Sequence, residues 1–269
     1  MNPPQSEPTV QQLFDLTGKT ALITGGSGHL GGAFSRALAE AGASVIISSR
    51  DTQRARQVAA KLPTPGSAAH HGIALDYMQP DLLDRGFTQA AACAQGNIDI
   101  LVNNGLDEMG KDLTNCTQQE FAHHQMNNAG YFALARHVRD LAVEKHRPAS
   151  IIMIGSMFGQ VGSYPDAYEG ARIASPVAYH ALKGGTIHMT RHLAVYWAKD
   201  NVRVNCLSPG MFPPATSNTT MIERLRTKLP MKRMGIAYEL KGVLLLLASD
   251  AGSYFTGQNI TIDGGWTAW

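Results

Sequence analysis

The feature of this chain that most restricts its fold is a repeated alternation of short, β-rich apolar runs with stretches of helical periodicity. "KTALITGG" (19–26), "SVIIS" (44–48), "IDILVN" (98–103), "SIIMIG" (150–155), "VRVNCLS" (202–208) and "NITID" (259–263) read as buried strands, with a weaker one at "HGIALD" (71–76). Between them lie helical patterns such as "GGAFSRALAEAG" and "GGTIHMTRHLAVYWAKD". Uniformly apolar strands alternating with helices imply βαβ units and a parallel sheet covered on both faces. The expected class is therefore α/β, a doubly wound parallel sheet of about seven strands with helices on both faces. Length alone allows one domain or two, but no linker or internal repeat divides the chain, and the last strand completes the sheet near the C-terminus. Residues 1–13, rich in proline and poor in apolar anchors, are expected to be a flexible tail, and 14–269 a single domain.

Composition narrows the function by exclusion. A formal charge of +2 is too near neutral for a nucleic-acid or membrane surface, and 44% hydrophobic residues support a substantial core. Cys93, Cys116 and Cys206 are widely spaced and form no CxxC pair, which suits a reducing cytoplasm. The first residues carry no signal-peptide pattern, and the greasiest run, "VLLLLA" (243–248), is too short to span a bilayer. A soluble cytoplasmic protein is expected, with neither nucleic acid nor membrane as partner.

Residues 24–31 read Thr24-Gly25-Gly26-Ser27-Gly28-His29-Leu30-Gly31. Glycines between a first strand and a first helix let the chain turn tightly and bring backbone N–H groups and a helix N-terminus against a pyrophosphate. A dinucleotide-binding loop is thus expected over Gly25, Ser27, Gly28, His29, Leu30 and Gly31. Selection at the adenosine ribose falls at the end of the second strand, where an acid would favour NAD. Here Ser48-Ser49-Arg50 stands instead, with Asp51 one or two positions late. Hydroxyls and a guanidinium suit a 2′-phosphate, so NADP(H) is preferred through Ser49 and Arg50, with NAD(H) possible. The alternative for Arg50 is a solvated loop cation. Asp76, closing the third strand, is placed either to meet an adenine edge or to cap a helix.

Tyr179-His180-Ala181-Leu182-Lys183 is Y-x-x-x-K on an expected helix, so phenol and ammonium share one face. A phenol of pKa about 10 is a poor acid–base catalyst at neutral pH, and a neighbouring cation brings it into range. Together with the glycine loop and Ser156 just after the fifth strand, the spacing becomes specific.

On these residues the chain resembles the short-chain dehydrogenase/reductase family from about Leu16 to Trp266. "DLTGKTALITGG", "IDILVNN", "SIIMIGSMFG", "YHALKGG", "VRVNCLSPG" and "LASDAGSYFTGQNITIDGGW" occur in family order. The resemblance implies a Rossmann fold and interconversion of a secondary alcohol and a ketone by hydride transfer with NAD(P). Tyr179 would be the general acid/base and Ser156 the partner of the reacting oxygen. Lys183 would lower the Tyr179 pKa and hold the nicotinamide ribose. Pro209, Gly210 and Phe212 would fix the carboxamide, with Asn103 and Gly105 bordering the cofactor. "HHQMNNAGYF" (123–132) contains the letters NNAG, the family's usual signature after its fourth strand, but here within an expected helix. The true signature region is Asn103-Asn104-Gly105-Leu106, altered from the usual Ala-Gly ending. Asn127 then matches the family's fourth catalytic residue, credited with kinking its helix and anchoring a water in a relay to Lys183.

Three departures stand out. His29 occupies the place of the usual middle glycine of the loop. The segment from Ser156 to Tyr179 is longer than the family's. Its extra piece carries Tyr164, Asp166, Tyr168, Glu169 and Arg172, equally readable as a substrate-recognition element or as a surface excursion. Pro213-Pro214 displace the usual threonine after Pro209-Gly210, which leaves Thr216 unassigned. His188 and His192 at i, i+4 lack the pattern of a metal site, so no metal is expected. Trp266 and Trp269 either contact a neighbouring subunit or seal the core. "SPVAYHALKGG" and "DGGWTAW" are similar to gluconate 5-dehydrogenase-like members, so a sugar acid or polyol is the expected small-molecule substrate. The alternatives are a 3-oxoacyl thioester reductase and, from another class, a catalytically silent NADP-sensing regulator. A homo-oligomer, tetramer or dimer, is expected by resemblance.

Overall fold

The computed structural model describes residues 7–108 and 110–268. The apolar runs form seven strands: β1 (Thr20–Thr24), β2 (Ser44–Ser49), β3 (His71–Ala74), β4 (Ile100–Asn103), β5 (Ala149–Ile154), β6 (Val202–Pro209) and β7 (Asn259–Ile262). They pair in parallel in one sheet of order β3-β2-β1-β4-β5-β6-β7. Among the described residues the helices are α1 (Val10–Phe14), α2 (His29–Glu40), α3 (Thr52–Ala59), α4 (Pro80–Cys93), α5 (Gln118–Glu144), α6 (Pro165–Tyr168), α7 (Val177–Trp197), α8 (Thr219–Lys228) and α9 (Lys241–Ala248).

Alternation along each strand divides the core into two layers. Leu22, Ile46 and Ile151 pack with Tyr131, Leu134 and Val138 of α5. Ala21, Ile23, Val45 and Ile47 turn the other way, against Phe34 and Leu38 of α2 and Leu244 and Leu247 of α9. Each fully buried Leu, Ile or Phe contributes roughly 1.5–3 kcal/mol, so these two layers dominate the fold's stability. A third, smaller cluster gathers Met157, Phe158, Tyr168, Met221, Leu225 and Trp266 beyond the ends of the later strands. Trp266, 4% exposed, seals this cluster, whereas Trp269 lies outside the described residues.

The strand order reverses between β1 and β4, and there the chain leaves the two strands in opposite directions and opens a crevice at their C-terminal ends. The stretch with the stray NNAG lies in mid-helix: α5 starts at a Thr117–Glu120 capping box and runs unbroken to Glu144. At the other end, the stretch expected to be a flexible tail contains a regular element. Residues 1–6 lie outside the described residues, but Val10–Phe14 is a helix. Thr9 and Gln12 form a reciprocal capping box that satisfies its first turn, a T-x-x-Q signal that proline content obscures. Among the described residues, no helix is long and apolar enough to cross a membrane.

Candidate active site

The crevice between β1 and β4 is built by glycines where side chains do not fit. Gly25 has a φ of +61°, and a Cβ there would lie 2.8 Å from the Gly105 Cα. A Cβ on Gly31 would lie 2.1 Å from the Gly25 carbonyl oxygen, so the third glycine lets α2 approach the loop. Gly28 caps α2, leaving the first-turn N–H groups of His29, Leu30 and Gly31 pointing out of the helix end. Leu30 packs its side chain on the second core layer, and the His29 side chain is exposed. Asn104 ties the crevice together: its Nδ2 donates to the carbonyls of Thr24 (3.0 Å) and Gly25 (3.1 Å).

A small cavity of about 120 Å³ follows, lined by Ser49, Arg50, Asp76, Tyr77, Gly105 and Asp107. Arg50 Nη1 lies 2.8 Å from Asp107 Oδ1, linking the end of β2 to the loop after β4. Arg54, in the first turn of α3, folds back and donates to the Ser27 carbonyl at 3.1 Å. Asp51 caps α3, its Oδ1 accepting from Arg54 N at 3.0 Å. Glycine loop, open helix terminus and two guanidiniums beside it make a donor set that fits a dinucleotide pyrophosphate and phosphate.

The second part of the site lies at the ends of β5 and β6. Ser156 follows β5, 6% exposed, and its Oγ accepts from Phe158 N at 3.1 Å. Tyr179 and Lys183 stand one turn apart on α7. Burial pushes the Tyr179 hydroxyl above its ordinary pKa; a hydrogen bond with Ser156 opposes that, and the Glu108 carboxylate adds to it. Burial takes the Lys183 ammonium down to about 8. Its Nζ donates to the Ile154 carbonyl at 2.7 Å and lies 5.8 Å from the centres of both the Tyr131 and Tyr179 rings.

Ser156 and Tyr179 open into a cavity of about 340 Å³, within the size range of small-molecule sites. Gly210 and Phe212, after β6, line one part of it. His124 of α5 and Glu108, after β4, add polar groups, and the segment before α7 contributes Tyr168 and Arg172.

A family model described as enoyl-(acyl carrier protein) reductase matches residues 27–267. A short-chain type dehydrogenase/reductase from Mycobacterium marinum superposes with a TM-score of 0.85 at 34% identity, covering 97% of this chain and 100% of that one. The chain belongs to the short-chain dehydrogenase/reductase family. It is an oxidoreductase acting on CH–OH groups, and the family binds NAD(P). D-arabinitol 2-dehydrogenase (ribulose-forming) of Scheffersomyces stipitis is 33% identical over 276 residues, 95% of this chain and 96% of that protein. A gluconate 5-dehydrogenase from Burkholderia cenocepacia, in complex with NADP and tartrate, superposes with a TM-score of 0.86 at 27% identity, covering 97% and 100% of the two chains.

Within this short-chain dehydrogenase/reductase frame, half of the site residues singled out from sequence line the two cavities, and several of the others sit differently from expectation. Asn103 is fully buried and lines neither of these two cavities; its Nδ2 donates to the Tyr131 carbonyl at 3.0 Å. Strand alternation turns Asn103 into the sheet face under α5 and leaves Asn104 to reach the glycine loop. Pro209 is the last residue of β6, and the cavity wall begins at Gly210. The Asn127 amide accepts from Tyr77 OH and Asp107 N, both at 2.9 Å, and donates to the His124 carbonyl at 2.8 Å. It thus braces the loop after β4, on a helix that is not broken there. The Lys183 head is turned to the Ile154 carbonyl, and on balance burial leaves the Tyr179 pKa raised. The extra segment divides in two. Asp166 pairs with Lys228 at 2.7 Å and Tyr164 packs edge-on to Trp266, anchoring the segment, while Tyr168 and Arg172 face the cavity.

Arg54, Asn104, Glu108 and His124 are site residues that the sequence reading missed. Arg54 was detectable as a second cation one turn after Arg50. Glu108 and His124 carry no motif: Glu108 sits in an irregular loop, and His124 reaches the cavity only through the packing of α5.

Proposed function

We propose that the enzyme interconverts a neutral polyol and its ketose, with NADP(H) preferred over NAD(H). The observation that carries the substrate reading is the wall of the larger cavity. Beside the Ser156–Tyr179 pair it presents Glu108 and the neutral ring of His124, acceptors suited to hydroxyl protons. The polyol activity named for the Scheffersomyces relative supports this reading, and Arg172 keeps a sugar acid as the second choice. NADP(H) is supported by Arg50 and Arg54 beside the glycine loop.

When bound, the nicotinamide supplies or takes up the hydride. Tyr179 passes a proton between its phenol and the substrate oxygen. Ser156, positioned by Phe158 N, donates to that oxygen and stabilises the charge that develops on it. Lys183 contributes a buried cation close to the phenol ring, and Asn127 fixes the loop that carries Glu108. The protein is proposed to be cytoplasmic and homo-oligomeric. Exposed Met126 and Phe132 on α5, with Val195 and Tyr196 on α7, are apolar surface that a second copy would cover.

The test is a rate comparison across C5 and C6 polyols, sugar acids, ketoses and a 3-oxoacyl thioester, each with both cofactors. Polyol and ketose turnover should lead. A faster 3-oxoacyl thioester, or no turnover in any class despite NADPH binding, would overturn the reading. Tyr179→Phe should lower kcat roughly 100- to 10,000-fold and leave NADPH binding intact. Arg50→Ala and Arg54→Ala should each weaken NADPH several-fold by fluorescence titration while sparing NADH; equal losses for both cofactors would remove the phosphate assignment.

A further inference from the structure

The extra segment before α7 ends its short helix α6 at Tyr168, too soon for the helix to pair its own last carbonyls. Side chains of α8 take them instead. Arg224 Nη1 donates to the carbonyls of Asp166 at 3.3 Å and Glu169 at 2.5 Å, on either side of Tyr168. Asn218 Nδ2, at the N-cap of α8, donates to the Ala171 carbonyl at 3.1 Å, next to Arg172. Lys228, one turn beyond Arg224, pairs with Asp166 at 2.7 Å and lies 4.5 Å from the centre of the Tyr164 ring. On the adjacent face of α8, Met221 and Leu225 share a buried cluster with Tyr168 and line the larger cavity.

What the segment presents to that cavity is a phenol. Tyr168 is 8% exposed and lines the cavity with Ser156 and Tyr179. Its hydroxyl makes no hydrogen bond among the described residues, and unlike the unpartnered groups of Asn103 and Ser249 it is not sealed from accessible space. Burial raises its pKa, the Arg172 charge opposes that, and Tyr179 adds to it. The group is therefore an undissociated phenol at neutral pH, able to donate to a carbonyl or accept from a hydroxyl. A largely buried hydroxyl is costly until a partner completes it.

We propose that the extra segment and α8 form one substrate-binding unit, in which the Tyr168 hydroxyl bonds a substrate oxygen and Arg224 is the positioning residue that holds Tyr168 in place. The inference rests on the polyol–ketose reading and deepens it, since such a substrate offers an oxygen for this phenol besides the one at Ser156 and Tyr179. The segment is this chain's own addition to the family's length, so its contribution is to substrate choice rather than to the shared chemistry.

The experiment follows reduction of D-xylulose by NADPH in the wild type, Tyr168→Phe, Arg224→Met and the double variant. Each single substitution should raise KM about 3- to 10-fold, the effect of one lost hydrogen bond, with kcat and the NADPH Kd close to wild type. The double variant should be no worse than the poorer single one, because Arg224 acts through Tyr168. Arg224→Lys, which can still reach one carbonyl, should recover part of the loss. Brief trypsin digestion read by mass spectrometry should release the fragment ending at Arg172 faster from Arg224→Met than from wild type. A wild-type KM in Tyr168→Phe overturns the inference, as do effects of the two substitutions that multiply, or unchanged cleavage at Arg172 in Arg224→Met. Thermal melting confirms folding of each variant. If Arg224→Met does not fold, Asn218→Ala, which loosens the same segment at the Ala171 carbonyl, reads the same KM and cleavage. Failure of the polyol–ketose reading shows separately: the wild type alone would not turn over D-xylulose, and the variants are then compared with the leading compound of the rate panel.

Discussion

At the scale of single residues, the phenol of Tyr179 and the carboxylate of Glu108 are coupled. Burial and Glu108 both raise the Tyr179 pKa, and Ser156 lowers it. Alcohol oxidation needs the phenolate as base, so its rate climbs with pH until the phenol is ionised, whereas ketone reduction needs the phenol and declines over the same range. Replacing Glu108 with Gln removes a negative charge that disfavours the phenolate. The rising limb of kcat/KM for oxidation should therefore move to lower pH. Because Glu108 is exposed, the displacement should shrink as salt is added. Profiles of the two proteins at low and high ionic strength check this, and a limb that stays put or moves upward would refute the coupling.

At the scale of elements, the loop after β4 departs from the family's Ala-Gly ending for a packing reason. Tyr77, just past β3, has its ring against this loop, with its hydroxyl 2.9 Å from Asn127 Oδ1. A Cβ on Gly105 would lie 2.8 Å from Tyr77 Cε1, so glycine at 105 makes room for tyrosine at 77. The Tyr131 hydroxyl donates to the Gly105 carbonyl and holds the same backbone from below. Gly105→Ala should therefore destabilise the enzyme by about 1–3 kcal/mol through overpacking. In a Tyr77→Val background the same substitution should cost markedly less, a non-additivity that urea unfolding of the four proteins measures. Additive effects would mean that the two positions do not compete for space. This pair also marks how far the sequence could be read. Strands and helices were legible because apolar period and glycine position act locally, and Ser156, Tyr179 and Lys183 because their spacing is tied to those elements. The brace formed by Tyr77, Gly105 and Asn127 links residues fifty positions apart, and no local pattern signals it. The same holds for His124, which is recognisable only once α5 is packed beside the cavity, and for the extra segment, whose Tyr168 and Arg172 are turned inward by anchors on Lys228 and Trp266.

At the scale of the whole molecule, the acid–base site sets a conflict between stability and chemistry. Burial takes Lys183 from an ordinary 10.5 to about 8 in the folded protein. Between those values the unfolded chain binds the proton and the folded one does not, so stability rises with pH across that window. Below about 8 the ammonium is retained in the core at a cost of roughly 3 kcal/mol relative to high pH, by the conversion of 1.36 kcal/mol per pKa unit. The buried tyrosines act oppositely: Tyr77, Tyr131 and Tyr179 all resist ionisation when folded, so stability declines as pH passes about 10. Lys183→Met separates the two effects, because every tyrosine remains. Its unfolding free energy relative to wild type should be most favourable near pH 7 and fall steadily between pH 8 and 10. Its turnover should be reduced at neutral pH, where the wild type keeps a cation beside Tyr179. Urea unfolding of both proteins at a series of pH values gives the difference directly; two parallel curves would show that Lys183 is not desolvated in the native state. A falling difference would show that the fold carries a charge it would be more stable without, kept between α7 and the end of β5 beside the phenol that does the chemistry.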